Sequence, residues 1–302
     1  MDPTFPIAPI HELQPRRHEY LGLSRREFLR IAGAVSALGV AALACDLSSI
    51  ASVIYNRPVR KTITSAAAAT DITTYANAIG LMKALPIGDG RNWTRQMQIH
   101  LTLCRHDSWL ILPWHRAYLY YFEQICRQLT GVATFALPYW NWTADPQIPA
   151  PFWSTLNYTP RGATPSSTAS SSIVGASAIN TILTQPNFLT FAGAATVLND
   201  PNQFGPGSGT LEGGPHNYIH GFVGGTMGTF MSPLDPIFWT HHCRVDELWM
   251  EWNILQNHPN TNNSDWTNTQ FTDFVDGMGN PVTISVFATI LMPLLSYKYD
   301  TQ

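Results

Sequence analysis

Charge is scarce in this sequence. Asp, Glu, Lys and Arg together make up 12% of its 302 residues, and the net charge is −3. Such a balance gives no basic surface for nucleic acid or for an anionic membrane. Cysteine is scarce as well: four residues, at 45, 104, 126 and 243, which impose no disulfide framework. No apolar run suits a membrane helix, since the run from Ile31 to Ala44 is 14 residues long. No Glu-x-x-His pair occurs, which removes a di-iron carboxylate bundle. What is present is a 45% hydrophobic chain with ten tryptophans, enough to bury a sizeable core as one large domain.

Histidine is where the chain is rich. Within one short window stand His100, His106 and His115, and a run that reads as an amphipathic helix follows. Its Tyr118, Phe122, Ile125 and Leu129 recur at steps of three and four, and Gly131 is a stop signal. More than a hundred residues later come His216 and His220, four apart and so on one face of a helix, then His241-His242 ahead of Asp246. A single such histidine reads more readily as a satisfied side chain in a turn. Two clusters that each supply three imidazoles point instead to a metal pair with open coordination positions. Six residues separate His100 from His106, so they share no regular helix face. His106 is expected in a loop, and His115 at the start of the helix after Pro113.

The spacings H-x3-C-x-H-x8-H-R, E-x3-H-N-x2-H and D-P-x-F-x2-H-H-x3-D run through these clusters. They resemble the CuA and CuB motifs of the type-3 copper family, which holds tyrosinases, catechol oxidases (polyphenol oxidases) and molluscan-type haemocyanin units. The resemblance extends from about Trp93 to Tyr299. It implies two copper ions, CuA on His100, His106 and His115 and CuB on His216, His220 and His242, with O2 as co-substrate. His242, four before Asp246, takes the ligand position of the pair, and His241 lies behind it. Phe238 resembles the phenylalanine that leans over the copper pair. Cys104-Arg105-His106 resembles the C-x-H in which relatives form a thioether from the sulfur to the imidazole; a free buried thiol is the alternative. Glu212 and Asn217 match the residues thought to orient a water that deprotonates a phenol, although Glu212 also reads as a helix-capping carboxylate. Where the family often carries Arg after the aspartate, this chain has Glu247, which puts one surface ion pair in doubt. The implied fold is mainly α, a four-helix bundle around the binuclear copper site, with long irregular loops and minor β.

Taken in order, residues 1–44 read as a targeting segment. Ser24-Arg25-Arg26-Glu27-Phe28-Leu29-Arg30 resembles the twin-arginine export signal, Ile31 to Ala44 suits its apolar region, and Ala42-Leu43-Ala44 is an A-x-A-like cleavage site. A mitochondrial-type leader, an uncleaved anchor and a lipoprotein on Cys45 are the alternatives. Removal of the leader leaves 12 basic and 16 acidic residues, a net −4. The expected destination is periplasmic or extracellular, with the twin-arginine machinery and a copper chaperone as candidate partners. Residues 45–302 are then the copper domain. One helix is expected near Ala66 to Leu85, ended by Pro86 and Gly88-Asp89-Gly90, and another from Arg91 to Cys104. Cys126 reads as a small buried hydrophobe. Pro138 to Asp145, PYWNWTAD, reads as core packing behind the site. The low-complexity stretch 164–172 reads as a mobile surface loop, with one short helix near Ser177 to Leu183. Tyr297-Lys298-Tyr299 resembles the family's closing Y-x-Y, so no C-terminal shielding domain is expected.

The function this implies is copper-dependent oxidation of small phenols and o-diphenols to o-quinones with O2, with or without ortho-hydroxylation of monophenols. An O2 carrier uses the same six histidines, and o-aminophenol oxidation is a close variant. A zinc hydrolase is disfavoured by Asn217, which stands where a zincin helix has Glu. Sequence alone leaves the oligomeric state open.

Overall fold

The computed structural model describes residues 56–195 and 207–302. The expected export leader therefore lies outside the described residues. Ten helices carry the architecture: α1 (Ala69–Ala84), α2 (Trp93–Leu103), α3 (Ile111–Thr130), α4 (Ser171–Val174), α5 (Ala176–Leu183), α6 (Phe188–Ala192), α7 (Asn217–Val223), α8 (Ile237–Met250), α9 (Ser264–Asn268) and α10 (Val286–Leu295). The mainly α reading holds, and regular β among the described residues amounts to two short pairs. Strand β1 (Val59–Arg60) runs parallel to β4 (Lys298–Tyr299), and β2 (Gln270–Phe271) runs antiparallel to β3 (Ile284–Ser285).

Two helices form the centre. Every residue of α3 from Ile111 to Glu123 is buried, as is every residue of α8. Burial on every side places both in the core although each carries charged residues, and α3 and α8 meet there through Phe122 and Trp239, stacked at 3.5 Å. Helix α1 packs along α3, and α10 covers α3 on another side. The ends follow local chemistry. The Asn92 side chain accepts from the N–H groups of Thr94 (2.8 Å) and Arg95 (3.3 Å) and starts α2. Gly131, at φ +71°, ends α3 where a side chain would be strained.

Beneath the site lies a fully buried ion cluster that sequence patterning did not indicate. Arg60 on β1 donates to Glu123 on α3 and to Asp246 on α8, both at 2.9 Å, and Arg116 on α3 donates to Asp246 at 2.5 Å. The hydroxyls of Tyr297 and Tyr299 add bonds to Asp246 of 2.6 and 2.7 Å. Arg60 also lies 3.7 Å over the Tyr297 ring, and Arg116 lies 3.5 Å over Trp249. Burial alone would raise the Asp246 carboxyl, but the two guanidiniums and two hydroxyls outweigh it and leave it below its usual value. The Y-x-Y thus ties the C-terminal strand and β1 to the two central helices.

The doubt over a surface ion pair at Glu247 stands: the residue is buried, bonded to Arg244 three residues earlier and to the Thr301 hydroxyl. The segment 164–172 is more organised than its composition suggests. Ala169 is buried, the hydroxyls of Thr164, Ser166 and Ser167 bond one another, and the Ser170 N–H donates to the Tyr218 hydroxyl of α7 at 2.7 Å. The helix expected near Ser177 is α5.

Candidate metal centre

Four helices and one loop bring the histidines together. His100 comes from the last turn of α2, His115 from the first turns of α3, His220 from α7 and His242 from α8; His216 lies at the start of α7. His106 lies in the segment between α2 and α3, as its spacing required. The next residue, Asp107, has φ +52°, and this left-handed step turns the chain back toward α3. Glu212 to His216 form one wide turn broken at Gly214 (ψ −109°) before Pro215, so His216 enters α7 at a kink.

The rings fall into two sets. Ligand atoms of His100, His106 and His115 lie within 4.8 Å of one another, and the same holds for His216, His220, His241 and His242. The sets adjoin: His115 stacks on His242 at 4.2 Å and 7°, and His106 faces His216 at 5.6 Å. Phe238, fully buried, touches both, at 5.0 Å from His100 and 4.3 Å from His242.

Hydrogen bonds decide which nitrogen each ring offers. A carbonyl only accepts, so a ring nitrogen bound to one must carry the proton. The Nδ1–H groups of His100, His115 and His220 donate to the carbonyls of Phe230 (2.8 Å), Ile111 (2.9 Å) and Met227 (2.7 Å). The His216 Nδ1–H donates to the Asn217 side-chain oxygen at 2.8 Å. Each of these four rings is left with its Nε2 lone pair. In His100, His115 and His216 that atom is buried without a partner. His220 Nε2 faces His242 Nε2 at 3.3 Å, two basic nitrogens converging on one point. Rings oriented by a carbonyl on one nitrogen and offering the other are the usual setting of metal-bound histidine. Burial also pushes the His100 ring down to about 3 and the His220 ring to about 4, and holds His106, His115, His216 and His242 well below the usual range. All six are therefore neutral at neutral pH, the form that ligates. A three-nitrogen set on each side, with no carboxylate ligand, suits copper.

The remaining expected residues are placed around this centre. Glu212 is 2% exposed; its Oε1 accepts from the Asp107 N–H at 2.8 Å, and its Oε2 is buried without a partner. Burial raises this carboxyl to about 8 against the Asp107 hydrogen bond. Asn217 is exposed at the rim, with its side-chain oxygen held by His216. Cys104 ends α2 as a partly buried free thiol, pushed up to about 12 by burial. Phe230 was not anticipated. It is 41% exposed, and its ring lies 5.8 Å from His106 and 6.3 Å from His100. No periodic or motif signal marks it, since its turn is set by neighbouring glycines and Pro233. Arg161 also went unnoticed. Its guanidinium grips Asp235 at 2.6 and 2.7 Å, and Asp235 in turn accepts from the Ile237 N–H where α8 begins.

Known proteins share this arrangement. Residues 78–180 and 153–255 match the common central domain of tyrosinase. The chain is 30% identical to a chloroplastic polyphenol oxidase of Malus domestica over 276 residues, which cover 75% of this chain and 46% of that protein. It is likewise 30% identical over 289 residues to a tyrosinase of Hahella sp. (strain CCB-MM4), covering 74% of this chain and 59% of the relative. The solved structure of latent apple tyrosinase superposes with a TM-score of 0.73 at 28% identity, covering 81% of this chain and 62% of the other. The chain spans about half the length of the curated relatives it matches. The match to the tyrosinase domain over more than half of the chain, the shared helical frame and the two adjoining imidazole sets place the chain in the tyrosinase family of binuclear copper proteins.

Proposed function

We propose that this chain oxidises small phenols and o-diphenols to o-quinones with O2. The observation that carries this reading is the pair of adjoining histidine sets, four of whose rings are locked by hydrogen bonds with Nε2 directed inward. His100, His106 and His115 would hold CuA, and His216, His220 and His242 would hold CuB. When bound, the copper pair would supply reversible two-electron chemistry with O2 and a template for the phenol oxygen.

The chain's own residues do the rest. Phe238 fills the space against both histidine sets and keeps water out of the buried side. Asn217 sits at the exposed rim and keeps the His216 ring oriented. A phenol has a pKa of about 10 and loses its proton only to a base. Glu212 is the nearby carboxyl with a free oxygen; in its ionised form, which the positive charge of bound copper would favour, a water between it and Asn217 would pass that proton to Oε2. Phe230 stands where an incoming aromatic ring would first meet the protein.

Three finer readings accompany this one. Residues 45–302 form the copper domain, and residues 1–44 direct export by the twin-arginine route. A thioether joins Cys104 to His106, fixing a ring that lies on a loop. Monophenol hydroxylation accompanies diphenol oxidation. No helix among the described residues is long and apolar enough to cross a membrane.

The test is O2 uptake by copper-loaded protein given a catechol, a monophenol and an o-aminophenol. Catechol-dependent uptake is expected. Reversible O2 binding without turnover of any of the three would make the chain a carrier.

A further inference from the structure

The second histidine set has four members, and a three-coordinate site needs three. His241 and His242 are neighbours in sequence, both fully buried, and both within ligand range of His216 and His220. His241 even lies against those two rings, at 5.4 and 4.9 Å. Proximity therefore does not choose between them. We propose that Trp142 makes the choice, by holding His241 in the tautomer that cannot bind a metal; this rests on the copper-binding reading above.

An indole N–H can only donate. The Trp142 Nε1–H donates to His241 Nδ1 at 3.2 Å, so that nitrogen carries the lone pair and is occupied. In a neutral imidazole the proton must then sit on Nε2, and a protonated nitrogen has no lone pair for a metal. This is the reverse of His100, His115, His216 and His220, whose Nδ1 nitrogens donate outward and free Nε2. His242 has no such constraint. Its Nδ1 is buried without a partner, and its Nε2 meets His220 Nε2 at 3.3 Å. Moving the proton of His242 to Nδ1 costs no protein hydrogen bond and presents Nε2 to the metal.

Trp142 is itself fixed. It is fully buried, its backbone N–H donates to the Trp140 carbonyl at 2.9 Å, and the Arg244 guanidinium lies 5.3 Å from its ring, held in turn by Glu247. The buried Arg244–Glu247 pair thus braces the indole that sets the His241 tautomer. Trp142 is a positioning residue: it touches neither metal nor substrate, and acts through His241.

Two measurements test this. Nitrogen-15 NMR of the metal-free wild type should show His241 with a protonated Nε2 and a bare Nδ1, opposite to His100, His115 and His220. A His241 spectrum with Nδ1 protonated overturns the proposal. Copper content of purified, copper-loaded variants supplies the second. Wild type and His241→Ala should each hold two coppers, and His242→Ala one. Adding Trp142→Phe to His242→Ala frees His241 Nδ1 for the proton and should return the content to two. A double variant that folds and stays at one copper, beside a wild type with two, overturns the proposal. A wild type short of two coppers would instead sink the copper reading, while the nitrogen spectrum would still decide the tautomer.

Discussion

Replacing Asp246 by Asn should be among the most costly single changes in the protein. The substitution keeps the shape and removes one charge. Asp246 accepts four hydrogen bonds, from Arg60, Arg116, Tyr297 and Tyr299, and its side chain is 3% exposed. Without its charge, Arg60 keeps Glu123, but Arg116 loses the carboxylate it pairs with. Breaking one partner of a buried ion pair costs about 3–5 kcal/mol, because the other charge stays behind without compensation. Against a total stability of roughly 5–15 kcal/mol, that is a large fraction. The assay is urea unfolding of the metal-free protein followed by tryptophan fluorescence. A built-in control is Asp89→Asn, whose ion pair with Arg91 is 20% exposed on both sides and should cost under about 1 kcal/mol. Copper affinity should fall as well, since Arg116 follows His115 directly and Asp246 lies one turn after His242. A loss for Asp246→Asn no larger than that of Asp89→Asn would show that the buried cluster does not hold α3 to α8.

Three further outcomes are expected. The metal-free protein should lose stability as the pH falls from 6.5, because His100 and His220 are held down at about 3 and 4 and the unfolded chain takes up their protons first; a melting temperature flat from pH 7 to 5 contradicts that burial. Glu212 has the opposite sign: raised from 4.5 to about 8, it disfavours the fold as pH rises above 4.5, so Glu212→Gln should melt higher than wild type in the metal-free state, most clearly near pH 8. The same variant and Asn217→Ala should lower monophenol turnover at least about tenfold more than catechol turnover, as loss of a general base allows, with equal losses on both substrates counting against the role. Intact-mass analysis of the copper-loaded protein should show two hydrogens missing if Cys104 is joined to His106, and complete alkylation of Cys104 under denaturing conditions would rule the bond out.

The candidate ligands were legible because metal sites tie chemistry to spacing. An i, i+4 pair such as His216 and His220 shares a helix face whatever surrounds it. Six residues without a common face put His106 in a loop. Helix ends were equally local, since Pro86 and Gly131 act within a turn. What escaped the sequence depends on partners distant along the chain. Arg60 meets Asp246 across 186 residues, and Trp142 reaches His241 across 99. Nothing in either neighbourhood announces the other. The partners of Glu247 escaped for the same reason: its burial comes with Arg244 and the C-terminal Thr301, which a local pattern cannot supply. The stretch 164–172 shows the limit of composition, because serine and threonine hydroxyls can build a turn as readily as they solvate a loop.

The central claim is that this chain carries two metal sites built from separate histidine sets, and metal analysis after copper loading tests it most directly. Two coppers per chain are expected, falling to one when His242 is replaced by Ala, with catechol-dependent O2 uptake lost in parallel. One copper in the wild type, or zinc taken up in preference under copper-replete conditions, would contradict it.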